Sequence, residues 1–467
     1  VSNRRSQDLK SPTMSNRPGK SKRSPWRIHR LLGLGIALAG VASVSATAGA
    51  LLAVSLTSTP LMQGSLTPEE ASVFSQDVPI ATDSTLRLPR LTRPVNILVL
   101  GTKVLTSDLN DVPPELRNLG YHALVNSFDG RSDSMLLLRF NPQTEQLVVL
   151  SLPRDTRTYV RGQLTKLNEA NYYGGPALAA ESVSDLLGGV AIDRYMRINV
   201  QGVEKLIDAL GGVTVNVPQD MRYQDDSQHL YINLKAGEQT LDGDKAMQFL
   251  RFRYDRQGDI GRVQRQQMFM RALTEQALNP ATITRLPKIL SVIQSNVDTN
   301  LSVEELLALV GYGAQINRSN VQMLMLPGTF SRPQDFTLSY WLPNHREIDA
   351  LVSQYFGVGS NRSVASAPSP HLTRVAIQDS TGNQSAVQAV TRALQDSGYA
   401  NIYVDQTLNN PLPISRIVAQ QGDMASAEMV HRFLGIGEVR VESTGALNSD
   451  ITIQLGQDWV DTFGEAL

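Results

Sequence analysis

The stretch from Arg251 to Gln267, RFRYDRQGDIGRVQRQQ, concentrates more phosphate-binding chemistry than any other part of the chain. Arginine presents a rigid planar fork that matches phosphate oxygens, and several together suit a pyrophosphate. A solvated basic face is the plainer account of such a run. Periodicity argues against it: Arg262, Gln266, Phe269 and Leu273 fall at i, i+4, i+7 and i+11, with Arg265 and Ala272 beside them. The guanidiniums therefore extend the apolar stripe of a helix. Charges turned inward need an anionic partner. Asp259 alone cannot neutralise Arg251, Arg253, Arg262 and Arg265, so a bound anion is expected. Gly258 and Gly261 would let a phosphate approach the N-terminus of that helix.

Two further clusters carry weaker chemistry. Arg131, Ser132 and Asp133 precede an apolar run, Ser134 to Phe140. An aspartate at a strand edge is a reasonable oxygen ligand for Mg²⁺, which takes one or two carboxylates and draws other ligands from substrate phosphate. A turn-forming triplet before a strand is the equal alternative. Pro153, Arg154 and Asp155 close the apolar run Leu147 to Leu152, and strand ends carry active-site groups in α/β proteins. Lys166, Leu167 and Asn168 follow, with Asn171 to Gly175 leading into a helix. Both segments also read as plain loops.

The elements that must position these groups are legible from pattern. Val95 to Leu100 reads as the first core strand, and Ser134–Phe140 with Leu147–Leu152 as a buried hairpin turning at Asn141 and Pro142. Val203, Leu206, Ile207 and Leu210 lie at helical spacing between Asn199 and Gly211, and strand Val213–Val217 follows. Helices are expected over Asp242–Leu250, Arg262–Leu278 and Val303–Leu309, the last opened by a Ser302 and Glu305 capping box. Interleaved strands and helices predict a layered α/β/α domain with a mixed central sheet over residues 95–355. A Ser-, Gly- and Pro-rich linker at 356–371 leads to a small α/β domain at 372–460. Its expected elements are strands at Arg374–Ile377, Ile402–Val404, Val439–Val441 and Ile451–Leu455, and helices at Ala386–Leu394 and Ala425–Leu434.

Charge is distributed unevenly. Residues 1–29 read as a disordered basic tail. Through Arg30 there are nine basic side chains against Asp8, so with an overall charge of −1 the remainder carries about −9. That mildly acidic body disfavours nucleic acid as a partner. No cysteine is present, which excludes disulfides and thiolate chemistry. Leu31 to Gln63 holds no charged residue, and residues 30–57 are long enough to span ~30 Å of hydrocarbon as a helix. The basic flank before the span places the N-terminus in the cytoplasm and the rest outside the cell membrane. A cleavable signal peptide is the alternative, since Ala46 to Ala50 contains small residues. Residues 58–94 read as a connector, with a Thr67 and Glu70 capping box.

In order and spacing, NILVLG, RSDSMLL, VVLSLPRDT, TKLNEANYYGG, INVQGVEKLIDALGGVTVNVP and LDGDKAMQFLRFRYDRQGDIGRVQRQQ resemble the LytR-CpsA-Psr family. The resemblance covers about 95 to 280 closely, and residues 373–460 resemble the C-terminal domain often attached to it. It implies a Mg²⁺- or Mn²⁺-dependent phosphotransferase. A glycan on a polyprenyl-pyrophosphate carrier loses its lipid and joins a peptidoglycan hydroxyl through a phosphodiester. On matched positions Arg131, Arg154, Lys166, Arg251, Arg253, Arg262, Arg265 and Gln266 would hold the pyrophosphate, with Arg251 and Arg253 acting in catalysis. Asp133 would be a metal ligand, and Asp259 either the base for the acceptor hydroxyl or an aid in placing metal and arginines. One departure is evident: where the family carries an acidic metal ligand two residues after the first-strand glycine, Gly101 is followed here by Thr102 and Lys103. Asp108 or Asp129 could replace that carboxylate, or Lys103 itself could neutralise phosphate.

Rival functions use other features. A polyprenyl-pyrophosphate hydrolase would share the pocket with water as acceptor. A membrane-bound transcriptional regulator would require inverted topology, and a glycan-binding scaffold would rest on residues 373–460. The lipid would need a dry groove, expected between the sheet and helices around Val203–Leu210 and Phe269–Leu278.

Overall fold

Strand β1 (Val95–Lys103) buries Leu98 and Leu100 in one apolar cluster and Val95 and Ile97 at alternate positions, so both of its faces are covered. In this computed structural model the described residues are 61–463 apart from 62, 63, 65, 75–78, 83–88, 104–127, 227–229, 253–258, 318, 319, 333, 359–369, 406, 409, 410 and 421. For 103, 230, 259–263, 280 and 283 the description covers the backbone alone. The expected tail, membrane span and most of the linker lie outside them. Among the described residues no helix is long and apolar enough to cross a membrane.

Around β1 stand β2 (Arg131–Asn141), β3 (Gln146–Ser151), β6 (Arg194–Asn199), β11 (Val297–Thr299) and β12 (Val321–Met325), in spatial order β11-β6-β1-β2-β3-β12. β2 runs antiparallel to β1 and β3, whereas β6 is parallel to β1 and β12 to β3, so the sheet is mixed. Between β3 and β6 come the hairpin β4 (Arg157–Val160) and β5 (Gln163–Lys166) and helix α1 (Glu169–Leu186), which lies against β2 and β6.

Two local features differ from the sequence expectation. Arg131 to Asp133 belong to β2 rather than to a turn before it, because β1 continues past a bulge at Gly101/Thr102 and pairs Lys103 with Arg131. A bulge re-aims the strand end while ladder pairing persists. The polar KLNEANYYGG segment is not a plain loop but the end of β5 and the start of α1, kinked where Gly175 takes φ +62°.

A second apolar cluster lies beside the sheet. It joins α2 (Val200–Leu210), β7 (Val213–Val217), β8 (Met221–Asp225), β9 (Leu230–Leu234), β10 (Gly237–Leu241), α3 (Gly243–Arg251) and α4 (Asp259–Ala277) through Ile207, Val215, Phe249, Phe252 and Phe269. The Asn199 side chain caps α2 at Gly202 N, 2.8 Å, and Gly211 closes the helix in the left-handed region at φ +87°. Helices α5 (Leu286–Asn296), α6 (Val303–Gly313) and α7 (His345–Tyr355) and the short strands β13 (Gly328–Phe330) and β14 (Trp341–Pro343) follow.

The C-terminal part forms its own sheet from β15 (Arg374–Asp379), β16 (Asn401–Val404), β17 (Arg416–Ala419), β18 (Glu438–Val441) and β19 (Ile451–Leu455), ordered β16-β15-β19-β17-β18. Helices α8 (Gln384–Asp396), α9 (Met424–Leu434) and α10 (Gln457–Phe463) accompany it. Sequence reading missed β17, although Ile417, Val418 and Ala419 are wholly buried. Three apolar residues make too short a run to show a period.

Candidate functional site

The ends of β2, β3 and β5 bring Asp133, Arg154, Asp155 and Lys166 into one chain of charges. Arg154 Nη1 donates to Asp133 Oδ1 at 2.6 Å and its Nε to Asp155 Oδ2 at 3.4 Å, while Lys166 Nζ donates to Asp155 Oδ1 at 2.8 Å. Burial pulls the Arg154 pKa down, but Asp133 and Asp155 outweigh that and hold it above its usual value. The group is therefore a fixed cation. The loop carrying it is set by the backbone: Thr156 Oγ1 donates to Pro153 O at 2.6 Å, and Asn168 N donates to Arg154 O at 3.1 Å.

Arg131 stands at the edge of this chain. Its Nη2 is 3.9 Å from Glu169 and its guanidinium carbon 5.7 Å from the centre of the Tyr172 ring. Lys166 Nζ similarly lies 5.6 Å from the Tyr340 ring centre. Four residues expected at the site, Arg131, Asp133, Arg154 and Lys166, thus share one surface with acids between them. Glu169 was not anticipated. It lies in a segment that had been singled out, but nothing local ties it to an arginine on a distant strand.

The arginine-rich segment divides differently. Arg265 is 3% exposed, with Nε donating to Phe249 O at 3.0 Å and Nη2 donating to Phe252 O. Its described partners are thus carbonyls at the C-terminal end of α3, where the helix dipole is negative. An inward guanidinium was expected to demand a bound anion; two of the contacts Arg265 makes are to these backbone carbonyls, and through them it fixes α3 against α4.

Arg251, in the last turn of α3, acts on Glu204 of α2. Burial raises the Glu204 carboxyl pKa and Asp244 adds to that, while Arg251 opposes both. Arg253 lies outside the described residues. Asp259 and Arg262 fall in the first turns of α4, and their side chains are outside the description. Gln266 is half-buried, and its neighbour Gln267 is 6% exposed. Gln267 Oε1 accepts from Ser151 Oγ at 3.5 Å, which ties α4 to the strand leading into Arg154. Gln267 was not among the expected site residues, because the inward stripe was drawn through Gln266.

Among the described residues, the carboxylate this region offers to a metal is Asp133. Asp133 has Arg154 on Oδ1, and its Oδ2 has no partner among the described residues. Its side chain is 41% exposed. This fits a Mg²⁺ ion that takes its other ligands from substrate phosphate and water. Asp129 lies 3.7 Å from Arg197 and is 82% exposed, and Asp108 is outside the described residues. Among the described residues no three His, Asp or Glu side chains gather to cage a metal.

The site is thus a set of guanidinium and ammonium groups at the strand ends of a mixed α/β sheet, a chemistry suited to phosphate oxygens. The chain belongs to the LytR-CpsA-Psr family, whose model matches residues 66–356. Residues 372–459 match the model described as LytR cell envelope-related transcriptional attenuator. A polyisoprenyl-teichoic acid–peptidoglycan teichoic acid transferase, TagU of Oceanobacillus iheyensis, is 32% identical over 271 residues, covering 56% of this chain and 75% of that one. TagU of Bacillus cereus is 32% identical over 227 residues, covering 47% and 71%. The crystal structure of Bacillus subtilis TagV shares 26% identity at a TM-score of 0.45, covering 57% of this chain and 98% of that one.

Proposed function

We propose that the chain is a phosphotransferase that moves a glycopolymer from a polyprenyl-pyrophosphate carrier to a peptidoglycan hydroxyl. One observation carries this reading: Arg154 of the loop after β3 and Lys166 of β5 lie 2.6 and 2.8 Å from Asp133 and Asp155, with Arg131 of β2 beside them at 3.9 Å from Glu169. The teichoic acid transferase activity for which the TagU relatives are named supports it. In this reading the acceptor hydroxyl attacks the sugar-linked phosphorus, the bond to the bridging oxygen breaks, and polyprenyl phosphate leaves. The hydroxyl proton passes to a base, for which Asp259 is our assignment. Arg131, Arg154, Lys166, Arg251, Arg253 and Arg262 neutralise the phosphate oxygens as charge shifts to the leaving group. Arg265 serves them by holding the end of α3 beneath Arg251.

Mg²⁺ or Mn²⁺, held by Asp133, would supply Lewis-acid neutralisation of a pyrophosphate oxygen. Lys103 takes the second acidic position and faces Arg131 in the β1–β2 register, so this part of the site is more cationic than an acidic pair would be. Lys103→Asp is expected to tighten Mn²⁺ binding about tenfold or more, read by electron paramagnetic resonance of free Mn²⁺. An unchanged Mn²⁺ isotherm would remove Lys103 from the metal site.

We also place residues 30–57 in the cell membrane as a single span, with the catalytic domain outside and the basic tail within. The partly buried Val203, Leu250, Ala272 and Leu273 of the second cluster are our candidates for the lipid path. The full reading is tested with purified chain, lipid-linked glycan and peptidoglycan fragments. Covalent glycan on the fragments is the expected product. Release of glycan phosphate into water at the same rate with or without fragments would make the protein a hydrolase instead.

A further inference from the structure

The C-terminal sheet is joined to the catalytic domain along an edge. Just beyond β18, Glu442 forms a parallel bridge with Met323 of β12, the outermost strand of the main sheet. Ser443 N donates to Met323 O at 2.8 Å, and Met325 N donates to Ser443 Oγ at 2.9 Å. Ser443 Oγ donates in turn to Gln420 O at 3.0 Å, and Tyr355 Oη of α7 donates to Gly422 O at 2.7 Å. One apolar cluster runs through Leu324, Val352 and Phe356 on one side and Ile377, Val430 and Leu455 on the other. An open edge strand invites pairing with foreign chains, and this junction closes it.

Beside the seam, Glu442 is 4% exposed and ion-paired with Arg271 of α4. Arg271 Nε also donates to Glu275 Oε1 at 3.0 Å, and Thr444 Oγ1 donates to Glu442 Oε1 at 2.8 Å. The same helix is tied by Arg265 to α3, by Gln267 to β3 and by Gln276, whose Nε2 donates at 2.9 Å to Leu210 O at the end of α2. Of these four ties, only Arg271 reaches the C-terminal domain. Without the Glu442 charge, Arg271 keeps Glu275 of its own helix but loses its carboxylate on the C-terminal side, and α4 loses that tie.

We infer that the C-terminal domain is a positioning subunit of the transferase site: through Glu442 and Arg271 it fixes helix α4, and with it the phosphate-binding residues at the other end of that helix. This rests on the function proposed above. The C-terminal domain therefore acts within the site's architecture rather than as a tethered accessory.

The test uses the full chain in detergent and calorimetric titration with farnesyl pyrophosphate. Glu442→Gln is expected to weaken binding about tenfold while the protein still unfolds in one cooperative step, and Glu442→Asp to retain affinity within a few-fold. In the transfer assay KM for the lipid-linked donor rises more than kcat falls. Unchanged affinity in folded E442Q overturns the inference. Should E442Q not fold, the charge exchange R271E/E442R replaces it: affinity restored to near wild type supports the inference, and a folded exchange variant that does not bind overturns it. Wild-type chain that fails to bind farnesyl pyrophosphate overturns the proposed function, and this inference with it.

Discussion

Replacing Arg154 with alanine lowers the rate of glycopolymer transfer about 100- to 1,000-fold, the loss typical when one preorganised charge-stabilising donor is removed. The size follows from its place between Asp133 at 2.6 Å and Asp155 at 3.4 Å. Without the guanidinium, Asp133 loses the cation on Oδ1 that offsets its charge beside the phosphate oxygens, while Lys166 still holds Asp155 at 2.8 Å. The variant is thus expected to lose attraction and gain repulsion. The fold should survive, because the side chain is 28% exposed and the loop is held by Thr156 Oγ1 and Asn168 N, which do not involve it. Arg154→Lys keeps the charge without the fork and should recover only part of the rate. Single-turnover transfer beside a thermal melt checks both. Wild-type rates in a folded R154A chain would dissociate this surface from the chemistry.

The largest stability effect is expected at Glu305. Its carboxylate accepts Ser302 N at 3.1 Å in the capping box that opens α6, and it also receives Arg194 Nη2 at 2.6 Å and Nε at 3.0 Å. Arg194 is 3% exposed. Glu305→Gln keeps a capping acceptor but removes the charge that faces the buried Arg194 guanidinium, so it should cost about 3 kcal/mol. If capping alone mattered, glutamine would be almost neutral, since Gln serves the same motif. Chemical denaturation of wild type, E305Q and E305A separates the cases. An E305Q midpoint equal to wild type would show that the Arg194 pair contributes nothing net.

The Ser302–Glu305 box illustrates how far sequence reading reaches. The motif, its helix and the cap at Asn199 follow from neighbours within one turn, and the structure places them as expected. The β2–β3 hairpin was legible for the same reason, because its period and its turn are local. Arg265 shows the limit. Its inward direction could be read from helical spacing, but its partners at Phe249 and Phe252 could not, since they depend on how α3 and α4 meet. The short strand β17 was invisible because its burial comes from neighbours at β18 and β19.

Local spacing alone determined the α/β alternation, the caps, the inward direction of Arg265 and Phe269 and the order of motifs that marks the family. Those properties depend on backbone periodicity and on residues only a few positions apart. Tertiary structure decided that Arg154 bridges Asp133 and Asp155, that Arg194 neutralises Glu305 and that Glu442 reaches Arg271. The physical reason is that charge pairing falls steeply with distance and with access of water. Partners far apart in the chain acquire a common low-dielectric space only after the sheet has brought their strands together.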